Sequence, residues 1–130
     1  TNTTDLAFGT VDAPTDATTT LTVATDGSTS TRGGNGAFAT GEAAGVVTIA
    51  AENGQTIALS ATPSTCTGAS GVALTTITGN YNGTAFDSSS ANTATFNSAA
   101  TTIDVGGSVT VDVGTTGAAT CAYTVTVNYN

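Results

Sequence analysis

The segment Cys121-Ala122-Tyr123-Thr124-Val125-Thr126-Val127-Asn128-Tyr129-Asn130 decides the fold class. Tyr123, Val125, Val127 and Tyr129 fall on one face of an extended chain, and Thr124, Thr126 and Asn128 fall on the other. That period of two is what a strand with one dry face requires. The alternation recurs upstream in Leu6/Phe8, Leu21/Val23, Val47/Ile49, Ile57/Leu59, Ile103/Val105 and Val109/Val111/Val113. Leu74, Ile77, Phe86 and Phe96 mark weaker strands between them. Apolar residues nowhere recur at helical spacing, and Gly or Thr interrupts every window, so the chain reads as all-β. Strands at intervals of roughly 8–12 residues, separated by Gly, Asn, Asp and Ser clusters, describe an antiparallel sandwich or barrel. The expected core is Leu6, Phe8, Leu21, Val23, Val47, Ile49, Ile57, Leu59, Val109, Val111, Tyr123, Val125 and Val127.

Turn chemistry suggests two registers. Around Glu52-Asn53-Gly54, a three-residue loop with Gly54 in the left-handed region pairs Ile49 with Ile57 and Val47 with Leu59. A two-residue turn there would put the apolar rows on opposite faces. The same reasoning across Gly106-Gly107-Ser108 pairs Val105 with Val109 and Ile103 with Val111. Asp26 to Gly36 and Tyr81 to Asn92 read as long irregular loops within a single domain spanning residues 1–130. There is no fixed-length repeat, which argues against a solenoid.

Length and charge narrow the function. A chain of 130 residues is long enough for one real core. Nine carboxylates face one basic residue, Arg32, for a net charge of −8. Nucleic-acid binding is excluded, because its affinity rests on Lys and Arg displacing counterions. Anionic membranes are disfavoured for the same reason, and no apolar run approaches the ~20 residues that span a bilayer. The chain begins at Thr1 without Met, signal peptide or tag, as expected of the mature form of an exported protein. Cys66 and Cys121 form an even pair without C-x-x-C spacing or a His partner. A disulfide is the natural reading, and two unrelated buried thiols are the alternative.

Catalysis by the common routes lacks its parts. Without His or Lys, no ordinary base activates the Ser and Thr hydroxyls. Glu42 with Glu52, or Asp104 with Asp112, could form a glycosidase-like pair only if held about 5–10 Å apart across a cleft. Acids in turns are more often simply solvated, so the chain is read as a non-enzyme. Calcium is the cofactor to weigh, since Asp5, Asp12, Asp16, Asp26, Asp87, Asp104 and Asp112 supply hard oxygen ligands. They lack EF-hand spacing. Thr18-Thr20-Thr22 and Thr124-Thr126 form T-x-T rows that suit either a wet outer face or an ice- or glycan-binding plane. Asn2-Thr3-Thr4 and Asn82-Gly83-Thr84 match the N-glycosylation acceptor.

LAFGTV (Leu6 to Val11), TTTLTVA (Thr18 to Ala24), VGGSVTVDV (Val105 to Val113) and YTVTVNYN (Tyr123 to Asn130) resemble secreted bacterial β-sandwich domains. The likeness is to the spore-coat-protein-U and archaic chaperone–usher pilin kind, and to a related group of secreted domains without assigned function. Phe8-Gly9 stands where those relatives carry an F-G dipeptide, and Val125 to Tyr129 where they end on V-T-V-N-aromatic. The resemblance implies an immunoglobulin-like sandwich lacking its last strand, with a neighbour's N-terminal arm filling the gap and chaperone and usher assisting assembly. Only Thr1 to Asp5 precede the Leu6 strand, shorter than the family's donor arm. The donor is therefore Thr1 to about Val11 itself, or part of an arm is absent from this chain, or subunits join by another route.

The edges agree with a polymer. The chain has no Lys and only Pro14 and Pro63 to protect an outer strand, and its last strand is uncharged and apolar on one face. Such an edge is a template for β-augmentation, unless the strand lies mid-sheet and is paired on both sides. The expected function is a homopolymeric subunit of an extracellular, cell-surface filament. Its expected interface is Thr1, Asn2, Thr3, Thr4, Leu6 and Phe8 against Tyr123, Val125, Val127 and Tyr129. The alternative is a monomeric adhesin or coat module that binds glycans through Asp26–Gly36 or Tyr81–Asn92.

Overall fold

The computed structural model describes residues 2–4, 6–12, 19–26, 28–32, 37–68, 71–112 and 117–129. Among the described residues there is no helix. The strands are β1 (Asn2–Thr4), β2 (Leu6–Asp12), β3 (Thr19–Val23), β4 (Thr29–Arg32), β5 (Ala37–Ala43) and β6 (Gly45–Thr48). They continue as β7 (Thr56–Gly68), β8 (Val72–Tyr81), β9 (Thr84–Asp87), β10 (Asn92–Thr95), β11 (Thr102–Val111) and β12 (Gly117–Tyr129). Every described pairing is antiparallel, and the strands form two sheets packed as an immunoglobulin-like β-sandwich.

One sheet is organised by β11. On one side it pairs with β8, which carries β9. Its other side is shared end to end, with β6 opposite Thr102–Val105 and β3 opposite Gly107–Val111. β1 lies outside β6, and β4 outside β3. The second sheet runs β10-β7-β12-β2-β5. Its core strands alternate as expected: Ile57, Leu59 and Ala61 of β7 face inward, as do Cys121 and Tyr123 of β12. Burying an aliphatic side chain contributes roughly 1.5–3 kcal/mol relative to exposure. The fully buried Ile77, Ile103, Val105 and Val109 therefore make β8 and β11 the main apolar wall of the first sheet.

Of the expected core, Val23, Val47, Ile49, Ile57, Leu59, Val109, Val111 and Tyr123 are buried, while Val125 and Val127 are half-buried. The side chains of Leu6, Phe8 and Leu21 lie outside what is described, as do Thr18 and Val113. Sequence reading underrated Tyr81, which is fully buried. Its hydroxyl donates to Ala100 O at 2.9 Å and accepts from Asn97 N at 2.9 Å. Its ring stacks on Phe96, with centroids 6.1 Å apart. The phenol thus ties the 97–100 connection to β8 and leaves no polar atom unmet.

Both expected hairpins are corrected. Gly54 does adopt φ +84°, and Gln55 N closes the turn on Glu52 O at 3.2 Å. The flanking strands nonetheless belong to different sheets, β6 pairing with β11 and β7 with β12. Val47 and Ile49 therefore enter the same core as the Ile57/Leu59 row but from the opposite sheet, and all four are buried. At Gly106-Gly107 there is no turn, because β11 runs straight through. Val105 and Val109 stay on the same inner face, and Gly106 lies under the main chain of Val23 and Ala24, where a Cβ would overlap it. The two long loops also contain strands. Asp26–Gly36 includes β4, and Tyr81–Asn92 includes β9, entered through Asn82 (φ +47°) and Gly83 (φ +88°). Positive φ at both central residues is the requirement of a tight two-residue hairpin turn.

The disulfide expected from the cysteine count is present. Cys66 and Cys121 are direct cross-strand partners on β7 and β12, so the bond lies within one sheet. It closes a separation of 55 residues, worth about 4 kcal/mol in the chain-entropy description.

Candidate functional site

β12 carries no charged residue over its 13 positions, and its two sides are paired differently. β7 pairs with it from Ala119 to Tyr129. On the opposite side, β2 pairs only with Gly117 to Cys121, the last partners being Leu6 and Cys121. Beyond that point the N-terminal chain leaves for the other sheet, where Asn2 and Thr4 of β1 register against Val47 and Val46 of β6. From Thr124 to Tyr129, β7 is the sole strand partner of β12 among the described residues. Among the described residues, the mid-sheet alternative thus holds for the first part of β12, and the free-edge expectation for its last six residues.

That open edge borders a groove of about 460 Å³, lined by Val47, Thr48, Ile49, Ala50, Val125 and Val127. β6 and the chain leaving it form one wall, fixed by Ile49 N donating to Thr101 O at 2.8 Å. Val125 and Val127, half-buried and two residues apart, form the other. A smaller recess of about 50 Å³ continues past Ala50, Ala51 and Ile57 to Val127, Asn128 and Tyr129. Tyr129 is 65% exposed, the one exposed large hydrophobic side chain among the described residues. Its hydroxyl accepts from Glu52 N at 3.0 Å, which fixes the end of the strand against the turn. A strand added along this edge would gain main-chain hydrogen bonds, while alternate side chains entered the groove.

Of the expected interface residues, Val125 and Val127 line this groove and Tyr129 lines the smaller recess beside it. Tyr123 points into the core instead. Asn2, Thr3 and Thr4 are placed on β6, and Leu6 and Phe8 in β2, where Phe8 registers with Glu42 of β5. Thr1 lies outside the described residues. The wall from Val47 to Ala50 was missed as a site because its apolar row was assigned to a hairpin. Its signal was the uninterrupted Ile49-Ala50-Ala51 that follows the alternation, since a strand destined to turn would carry polar residues there.

Elsewhere, a cleft of about 380 Å³ lies between Thr22, Ala24 and Thr25 on one side and Thr78–Asn80, Ala85–Asp87 and Ser90 on the other. Asp87 accepts from Ser89 N at 2.7 Å and from Ser89 Oγ at 2.6 Å. Asp26 is held likewise by Ser28 N at 2.9 Å and Ser28 Oγ at 2.7 Å. In each case the hydroxyl first, then the amide, holds the carboxyl below its ordinary pKa. Asp104 and Asp112 are exposed, eight positions apart along β11 and its exit, on the order of 25 Å. No group of three or more His, Cys, Asp or Glu gathers as a metal site among the described residues. Asp5 and Asp16, proposed with them as calcium ligands, lie outside those residues.

No curated protein and no solved structure matches the chain. A family model does match, over residues 1–129. The chain belongs to that family, which is described as a domain of unknown function (DUF4402).

Proposed function

We propose that this chain is the structural subunit of an extracellular, pilus-like filament, joined by a strand from a neighbouring copy lying along Thr124–Tyr129. The observation that carries this reading is the half-covered β12, whose open edge overlooks the Val47–Ile49–Val125–Val127 groove. An exposed, uncharged edge beside apolar side chains is a liability for a monomer unless a partner completes it. The donor is the start of the N-terminal segment, Thr1 to Asp5, ahead of the β2 residues that are already paired in their own subunit. β1 is only three residues long and its register on β6 is broken between Asn2 and Thr4, so its own contact is easily given up. β2 already runs antiparallel to β12, so its N-terminal continuation points along the open edge. The disulfide suits an oxidising, exported setting, and a chaperone and usher would shield the edge before assembly.

Negative-stain microscopy of native material tests this, with Val127→Asp as the comparison. Uniform fibres for the native chain, and folded but dispersed Val127→Asp, support the polymer. Discrete particles in both would contradict it.

A second reading rests on the 380 Å³ cleft, one side of which is formed by Ala85–Asp87 and Ser90 of the Tyr81–Asn92 segment. Thr22, Thr78 and Asn80 give it uncharged hydrogen-bonding groups, suiting a monomeric adhesin that binds neutral glycans. Glycan-array binding that is lost in Asn80→Ala while particles stay monomeric would favour that reading.

A further inference from the structure

Asn53-Gly54 and Asn82-Gly83 are the same dipeptide in two different surroundings; a third, Asn35-Gly36, lies outside the described residues. An Asn-Gly pair has intrinsic chemistry, because a glycine carries no side chain to hinder its nitrogen from attacking the preceding amide carbon. At Asn53 the fold opposes this twice. Gly54 N is engaged by Phe96 O at 2.8 Å, and the Asn53 side chain is pinned through Oδ1 by Ser98 N at 2.9 Å. A further main-chain bond, Phe96 N to Gln55 O at 2.8 Å, holds the same turn. At Asn82 the side chain is exposed and makes no hydrogen bond among the described residues. Gly83 N is restrained only by Asn80 Oδ1 at 3.0 Å, an exposed contact to a side chain that can rotate away.

We infer that Asn82 is a site of spontaneous deamidation, left open by the β8–β9 turn, while the otherwise identical Asn53 is protected by the fold. Gly83 N bonds to Asn82 Cγ as the Cγ–Nδ2 bond breaks, and the Gly83 amide proton leaves with ammonia. Water then opens the cyclic imide, giving aspartate or isoaspartate. Either product adds a negative charge to a chain already at −8. Isoaspartate also inserts a carbon into the main chain of a turn closed by two residues at φ +47° and +88°. The strand beyond that turn holds Phe86, 4% exposed, over Gly79, so the modification loosens this edge of the first sheet.

The test is incubation of the native protein at mildly alkaline pH in heavy-oxygen water, followed by digestion and mass spectrometry. The reduced, denatured chain serves as reference. In the denatured chain the two sites should convert at similar rates. In the folded protein Asn82 should convert about thirtyfold faster than Asn53, the effect of two additional bonds at roughly 1 kcal/mol net each. Asn80→Ala, which frees Gly83 N, should raise the Asn82 rate about fivefold by the same measure. Equal rates at Asn53 and Asn82 in the folded protein would overturn the inference. So would an Asn82 rate no greater than that of Asn97, or a glycan already occupying Asn82 Nδ2 in native material.

Discussion

Cys121 is paired on both sides, with Leu6 of β2 across one edge and with its disulfide partner Cys66 of β7 across the other. It is the last β12 residue in register with β2, so the covalent bond sits at the point where the strand passes from covered to open. The disulfide holds β12 against β7 just where support from β2 ends. Replacing both cysteines by Ala should lower the unfolding free energy by about 4 kcal/mol, read as a lower urea midpoint with a somewhat steeper slope, because the unfolded chain without the cross-link is more expanded. A loss below 1 kcal/mol would mean that the unfolded chain is not appreciably constrained by the bond.

Tyr81→Phe isolates the buried hydroxyl. The ring and its stacking on Phe96 remain, but Asn97 N and Ala100 O lose their partner. The expected cost is about 1 kcal/mol by chemical denaturation, from leaving two partly buried polar groups without this partner. A neutral substitution would show that water reaches these groups.

Gly106→Ala and Gly79→Ala separate a rigid obstacle from a movable one. A Cβ at Gly106 would meet Val23 O and the Ala24 main chain, which the β3–β11 pairing holds in place. One at Gly79 would meet the Phe86 ring on the edge strand β9. Gly106→Ala should cost about 3 kcal/mol and Gly79→Ala about 1–2 kcal/mol, with melting temperatures in that order. The reverse order would place the strain in the β8–β9 hairpin.

Acid sensitivity should trace in part to Asp26 and Asp87. Their carboxyls are held below the ordinary value by the Ser28 and Ser89 hydroxyls, then by the amides of the same residues. A carboxyl depressed in the folded state stabilises above its unfolded pKa, and the contribution disappears as pH falls through the folded one. The wild-type melting temperature should therefore fall below about pH 4 more steeply than that of Ser28→Ala/Ser89→Ala. Superimposable acid limbs would remove these turns from the account.

The strands were legible because alternation is local: the rows at Val47/Ile49, Ile57/Leu59 and Val109/Val111 are buried as their period demands. Pairing partners were not. Gly54 correctly signalled a turn, but a turn residue does not say whether the chain returns to the same sheet or crosses to the other. Gly106 was read as a turn when its smallness serves a close main-chain crossing, which depends on Val23 about eighty residues away in sequence. Asn82-Gly83 carries the same short hairpin signal as Asn53-Gly54, yet Tyr81 to Asn92 reads as one long loop in the sequence. At the candidate site, Val125, Val127 and Tyr129 were visible in the terminal strand. The opposite wall from Val47 to Ala50 required knowing that β6 and β12 face each other from different sheets.

Hydrogen exchange along β12, compared between dispersed subunits and native assemblies, tests most directly whether another copy completes this sheet. Amides of Thr124–Tyr129 that face away from β7 should exchange rapidly in the subunit and become protected on assembly, while those of Gly117–Cys121 stay slow in both. Protection of Thr124–Tyr129 that is already complete in the dispersed subunit, or unchanged in the assembly, would contradict strand addition at this edge.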